Sequence, residues 1–115
     1  RDTERLVHGT TVATNALLER RTARVGLLTT EGHRDIVEMR EGLKPERYDL
    51  RLPPPAPLVP RRLRLPLRER MRADGRVETP LDPASVQAAI AELRAAEVEA
   101  VAICLLHAWR DPAHE

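Results

Sequence analysis

The sequence predicts an α/β fold, and three stretches carry that reading. Ala23 to Thr30 (ARVGLLTT) places Val25, Leu27 and Leu28 between turn signals, as a buried strand does. Asp82 to Ala96 has a capping residue, an early proline and an apolar face of Val86, Ala89, Ile90, Leu93 and Ala96, as a helix does. Val98 to Leu106 is then apolar on both faces, the pattern of a strand covered on both sides. A helix that runs into such a strand points to a crossover in a parallel sheet.

The remaining elements follow in order. Leu6-Val7 can end a strand or helix, and His8-Gly9-Thr10-Thr11 breaks the chain. Val12 to Arg20 carries Val12, Ala13, Ala16 and Leu17 at helical spacing, with Thr10 or Thr11 able to cap it. After the first strand, Gly32-His33-Arg34-Asp35 leads into a short helix or irregular segment at Ile36 to Met39. Gly42 to Pro60 holds six prolines, and its Pro53-Pro54-Pro55 run is expected to be an extended, rigid connector. Residues 61–79 read as a β-hairpin turning at Asp74-Gly75. Leu63, Leu65 and Leu67 alternate there with Arg62, Arg64 and Arg68, so the arginines are expected on a solvated face. Pro66 confines that strand to a sheet edge, and Glu69 interrupts its apolar face.

Composition narrows the function classes. The 115 residues include one Trp, one Tyr and no Phe, so the core must be built from Leu, Val, Ile and Ala. One domain at most fits this length. The apolar run Ala100–Leu106 is far short of the roughly 18–20 residues that span a bilayer, so no membrane partner is expected. Cys104 is the only cysteine, which excludes an intramolecular disulfide and fits a cytoplasmic setting. Net charge is +1, so no global field attracts nucleic acid. Arg61 to Arg76 contains seven arginines, but no aromatic platforms for single strands lie among them. No nucleic-acid partner is expected.

Two regions hold groups that could carry chemistry. His8, Gly9, Thr10, Thr11 and Asn15 gather hydroxyls, an amide and a flexible backbone at a helix start, where unpaired N–H groups suit a phosphate or cyclic amide. Ordinary capping is the competing reading, and it needs only one of those threonines. His107, Asp111, His114 and Glu115 cluster near the end of the sequence. Asp111 and His114 are of the types that bind divalent metals, but the spacing fits no standard motif, and no metal site is assigned. No nucleophile–base set emerges from spacing.

Several strings together resemble the N-terminal region of the hydantoinase A/5-oxoprolinase family. They are VHGTTVATNALLERR (Val7–Arg21), ARVGLLTTEGHRDIVEMR (Ala23–Arg40), YDL (Tyr48–Leu50), LVPRRLRLPLRERMRADGRV (Leu58–Val77) and AVAICLLHAWRDPAHE (Ala100–Glu115). The first is the most specific. Four positions depart from the family pattern: His33 replaces an aromatic residue, Thr22 and Glu97 stand where Gly is frequent, and Asp111 stands where Asn is common.

The resemblance implies an actin-like, ribonuclease-H-like ATPase lobe. It also implies use of ATP and Mg to phosphorylate the oxygen of a cyclic amide such as hydantoin or 5-oxoproline, so that water opens the ring. An acetone-carboxylase-type ATP-using subunit and a non-catalytic partner-binding module are the alternatives. His8, Gly9, Thr10, Thr11 and Asn15 would line the cleft. Arg34 and Asp35 are further candidates, with a structural ion pair or cap as the competing reading. The family's Gly-Gly-Thr phosphate loop is expected ahead of Arg1, and its later lobes beyond Glu115. Residues 1–115 are therefore expected to be a fragment of an N-terminal domain, incomplete at both ends and inactive alone, with the Val98–Leu106 strand lacking some of its natural covering. Expected partners are the remainder of the same polypeptide, a hydantoinase B-type subunit or domain, and the substrate.

Overall fold

The computed structural model describes residues 7–39, 46 and 48–115. The expectations for Leu6, for Arg40 and for the Gly42–Pro45 start of the proline-rich stretch lie outside them. The element order is α1 (Val12–Leu18), β1 (Val25–Thr30), α2 (Ile36–Met39), a 3-10 turn (Arg61–Leu63), β2 (Arg64–Leu67), β3 (Arg70–Met71), β4 (Val77–Thr79), α3 (Pro83–Ala95) and β5 (Ala100–Cys104). No described helix is long and apolar enough to cross a membrane.

The fold is α/β, as predicted. β1 is the centre of a three-stranded parallel sheet in the order β2-β1-β5. β3 and β4 form a separate antiparallel pair. The hairpin expected over residues 61–79 therefore divides. Its turn is where Asp74-Gly75 predicts it, with Gly75 at φ 86° and Asp74 Oδ1 accepting from the Arg76 amide at 3.0 Å. Its leucine-rich arm instead leaves the hairpin and joins β1 in parallel, Leu28 opposite Leu65 and Thr30 opposite Leu67. Three leucines gain more from the sheet core than from a solvated ribbon. Pro66 sits on an edge strand, where its missing N–H costs no ladder bond.

Burial follows the strand period but extends further than expected. Leu63, Leu65, Leu67, Glu69 and Met71 are all buried. Arg62 and Arg68 are exposed, whereas Arg64 is fully buried rather than solvated. Its guanidinium is drawn in by Arg34 O at 3.1 Å and Glu38 Oε1 at 2.6 Å.

α3 packs over β1 and β2. Asp82 caps it by accepting from the Ala84 amide at 3.0 Å, with Pro83 in the first helical position. Leu93 lies against Gly26, where a Cβ would come within 2.6 Å of Leu93 Cδ2. Leu28, Leu65, Leu67, Ala89, Leu93 and Leu105 form the core. The helix closes in a Schellman arrangement: Glu97 N donates to Arg94 O at 3.0 Å and Val98 N to Leu93 O at 3.3 Å. Glu97 takes φ 53°, the left-handed position that favours glycine.

β5 forms inside the predicted stretch and, as expected of it, lacks part of its covering among the described residues. It is a sheet edge among the described residues, and all five of its residues are exposed. The register aligns Val101 with Gly26 and Ile103 with Leu28, on the α3 side, yet both remain exposed. α1 buries no residue at all. The Cα radius of gyration is accordingly 18.7 Å, against about 13 Å for a compact domain of this length.

Candidate functional site

The His8–Asn15 turn is exposed throughout. Thr11 occupies the cap position of α1 without a side-chain cap bond; Thr10 Oγ1 accepts from the Val12 amide at 3.3 Å instead. Asn15 Nδ2 donates to Thr11 Oγ1 at 3.4 Å. A Cβ on Gly9 would meet nothing within 4 Å, so the backbone there is open to approach. Among the described residues, no hydrogen bond joins this turn to Arg34 or Asp35.

Arg34 and Asp35 are engaged in a charge network. Asp35 accepts from Arg61 at 2.9 and 3.0 Å in a two-pronged pair. Arg34 Nη2 donates to Arg61 O at 2.9 Å. Hydrogen bonding from Arg61 holds the Asp35 carboxyl below the ordinary aspartate range and raises the Arg61 guanidinium in turn. This is the ion-pair arrangement, and it anchors α2 to the turn ahead of β2.

The C-terminal cluster does not converge on a metal. Asp111 Oδ1 accepts from the Ala113 amide at 3.0 Å, and Glu115 Oε1 from the Leu105 amide at 3.0 Å. His114 Nδ1 lies 2.8 Å from Glu69 Oε2. Among the described residues, no group of three His, Cys, Asp or Glu is placed to hold a metal ion.

Two features escaped the sequence reading. The first is a buried chain of polar groups: Thr30 Oγ1 donates to Glu69 Oε1, Glu69 Oε2 meets His114, and the Leu106 amide donates to Thr30 Oγ1 at 2.8 Å. Glu69 as a lone carboxylate within an alternating leucine pattern was the available signal. The second is a cavity of about 350 Å³ on the sheet face opposite α3. Leu27, Thr29 and Cys104 form its floor, near the carboxyl ends of β1 and β5. Ile36 and Val37 of α2 wall one side, and His107 and Trp109 the other. No motif announces it, because its lining comes from two stretches far apart in sequence, residues 27–37 and 104–109.

Fold and site together define a parallel α/β unit that, among the described residues, leaves part of one sheet face open, with an apolar hollow at the strand ends where such sheets commonly bind ligands. More particularly, the chain belongs to the family described as the hydantoinase/oxoprolinase N-terminal region, whose model matches residues 1–115. It is 47% identical to caprolactamase subunit alpha of Pseudomonas jessenii, over 99% of this chain and 17% of that protein. It is 38% identical to the acetophenone carboxylase gamma subunit of Aromatoleum aromaticum, over 94% of this chain and 16% of that protein. The crystal structure of ATP-dependent caprolactamase from Pseudomonas jessenii superposes with a TM-score of 0.81 at 49% identity, covering 93% of this chain and 16% of that one. The chain thus spans about a sixth of the length of these relatives.

Proposed function

We propose that this chain is part of an ATP-dependent enzyme that opens cyclic amides. The observation that carries this reading is the 47% identity with caprolactamase subunit alpha, sustained along 99% of the chain. The chemistry is coherent. An amide carbon is a poor electrophile. Transfer of the terminal phosphoryl group of ATP to the amide oxygen makes that carbon electrophilic, and water adds to it. The C–N bond breaks with the ring nitrogen leaving as the amine. The acyl phosphate that results is hydrolysed by a second water to carboxylate and phosphate. Such transfer rests on positioning and charge stabilisation. Hydantoin, 5-oxoproline and caprolactam are the ring types to consider. An actin-like ATPase lobe, a cytoplasmic setting, a hydantoinase B-type partner and inactivity of residues 1–115 alone belong to the same proposal.

In this reading His8, Gly9, Thr10, Thr11 and Asn15 line the phosphoryl-transfer cleft. Their full exposure and the open space at Gly9 support it. ATP is the co-substrate, supplying the phosphoryl group. The hydroxyl set suits its phosphates; the described residues offer no cluster for Mg, and no metal ligand is assigned among them. Arg34 and Asp35 serve the site by holding α2 in place.

A ketone-carboxylating enzyme is the second reading. It is favoured by the nucleotide-free acetone carboxylase structure, which superposes with a TM-score of 0.72 at 29% identity, covering 87% of this chain and 15% of that one. The test is phosphate release from ATP by the polypeptide that carries this chain, with any partner subunit, against a panel of substrates. Release dependent on a cyclic amide supports the first reading, and release dependent on ketone and bicarbonate supports the second. ATP left intact with every substrate overturns both and leaves a non-catalytic binding module.

A further inference from the structure

We infer that an apolar helix from elsewhere in the same polypeptide packs across β1 and β5, on the sheet face opposite α3. This holds whichever reaction the polypeptide catalyses. Topology says which face lacks its helix. In the order β2-β1-β5, the step from β1 to β2 and the step from β2 to β5 run in opposite directions across the sheet. Right-handed crossovers in opposite directions lie on opposite faces. The second crossover supplies α3 to one face. The first serves the other face, and among the described residues the only α-helix it brings there is the four-residue α2. Parallel sheets are found with both faces covered. This chain spans 17% of caprolactamase subunit alpha, so a covering helix has a source in a polypeptide of that length.

The exposed surface has the shape of a helix seat. Leu27 and Cys104 face the hollow. Strand alternation and the register put Ala100 and Ala102, opposite Val25 and Leu27, on that same face. All five residues of β5 are exposed. An apolar stripe thus runs the length of β5, about 16 Å, and on to Trp109 at the rim of the hollow. About three helical turns match that length, whereas a small ring would fill only the hollow at one end. The short side chains of Ala100 and Ala102 let a helix approach the sheet closely, and the hollow of about 350 Å³ receives its largest side chains. Trp109 is 78% exposed, a large apolar ring left for the helix to cover. The polar edge lies on the other side, where His33 Nδ1 is 3.5 Å from Arg70 Nη1, and this turns the helix towards β5.

Cys104 is a free, exposed thiol in this structure, so its alkylation reports whether the face is covered. In the whole polypeptide that carries this chain, with no substrate or nucleotide added, iodoacetamide is expected to label Cys104 at least about 100-fold more slowly than after unfolding in urea, because labelling must await local opening. Peptide mass spectrometry reads both rates. Ala102→Glu drives a charge into the covered face, and is expected to speed Cys104 labelling many-fold and lower the melting midpoint by several degrees. Benzoylphenylalanine in place of Trp109 then identifies the occupant by photo-cross-linking. The expected cross-link reaches a segment of the same polypeptide outside residues 1–115, with apolar residues recurring at helical spacing. Native labelling of Cys104 at the unfolded rate overturns the inference, and so does an Ala102→Glu variant with both readouts unchanged. A cross-link within residues 1–115, to a second copy or to another subunit overturns it as well, as does none at all. Should Ala102→Glu fail to fold, the labelling of the unaltered polypeptide and the cross-link decide between them.

Discussion

His114 Nδ1 lies 2.8 Å from Glu69 Oε2, and the Glu69 side chain is fully buried. The pair fastens the end of the described chain to the segment after β2. Through Thr30, the same carboxylate reaches the last residue of β1, and Thr30 in turn holds the Leu106 amide. One carboxylate thus joins three parts of the chain that are remote in sequence. Glu69→Ala leaves the Thr30 hydroxyl and the imidazole without their acceptor. A cost of about 1–3 kcal/mol for each stranded buried group is expected, and His114→Ala alone should cost less, because the Thr30 bond survives. Urea unfolding measures both; a Glu69→Ala loss within about 0.5 kcal/mol would class it with surface changes and sink this account.

Asp35 and Arg61 form a two-pronged pair on a partly exposed surface. Arg61 lowers the Asp35 carboxyl from its ordinary value of 3.8. The sign follows from linkage. The pair's contribution is complete above the ordinary value and is lost as pH falls through the lowered one. Asp35→Asn should therefore flatten the fall in stability between about pH 6 and about pH 3, and added salt should shrink the wild-type effect. Denaturant midpoints at the two pH values compare them; equal falls in both proteins would show that the pair contributes nothing.

Gly26 and Leu93 fit only because the glycine has no side chain. Gly26→Ala is expected to destabilise by about 1–3 kcal/mol through overpacking. Leu93→Ala should cost about 2–5 kcal/mol by leaving a cavity in the core. The double variant should cost less than the sum, since the new methyl enters the space the leucine vacated. Strict additivity in thermal unfolding would mean that the two residues do not share that space.

Glu97 holds a left-handed conformation with an exposed side chain. Glu97→Gly removes the Cβ clash at the helix end and should stabilise the fold by about 1–2 kcal/mol. A glycine that leaves the unfolding midpoint unchanged or lower would place Glu97 outside that strained position.

Among the described residues β5 is an apolar edge strand, with Val101 48% and Ile103 47% exposed. Such edges pair with other chains unless charge or cover prevents it. Residues 1–115 expressed alone should self-associate with rising concentration, and Ile103→Lys should suppress this. Sedimentation velocity distinguishes the two, and a wild type that stays monomeric at every concentration removes the edge from consideration.

Much of the site's scaffold was legible because its signals are local. Asp82-Pro83 marks the start of α3, Asp74-Gly75 the hairpin turn, and Pro66 an edge position, each through chemistry confined to a few residues. The exposed His8–Asn15 turn was legible for the same reason. The cavity was not, since Leu27, Val37 and Trp109 meet only after the sheet has formed. Glu97 read as a departure from a family pattern, and only its backbone angle reveals what the departure costs.

By itself, the sequence determined the α/β class, the order of helices and strands, their caps and turns, and a family resemblance spread along the chain. Tertiary structure alone decided that the leucine strand leaves its hairpin for β1, that Arg64 and Glu69 go inside, and that β5 is an edge among the described residues. The physical reason is range. Propensity and capping act over a few neighbouring residues, whereas strand partners and burial are set by which distant apolar faces and buried charges satisfy one another at once.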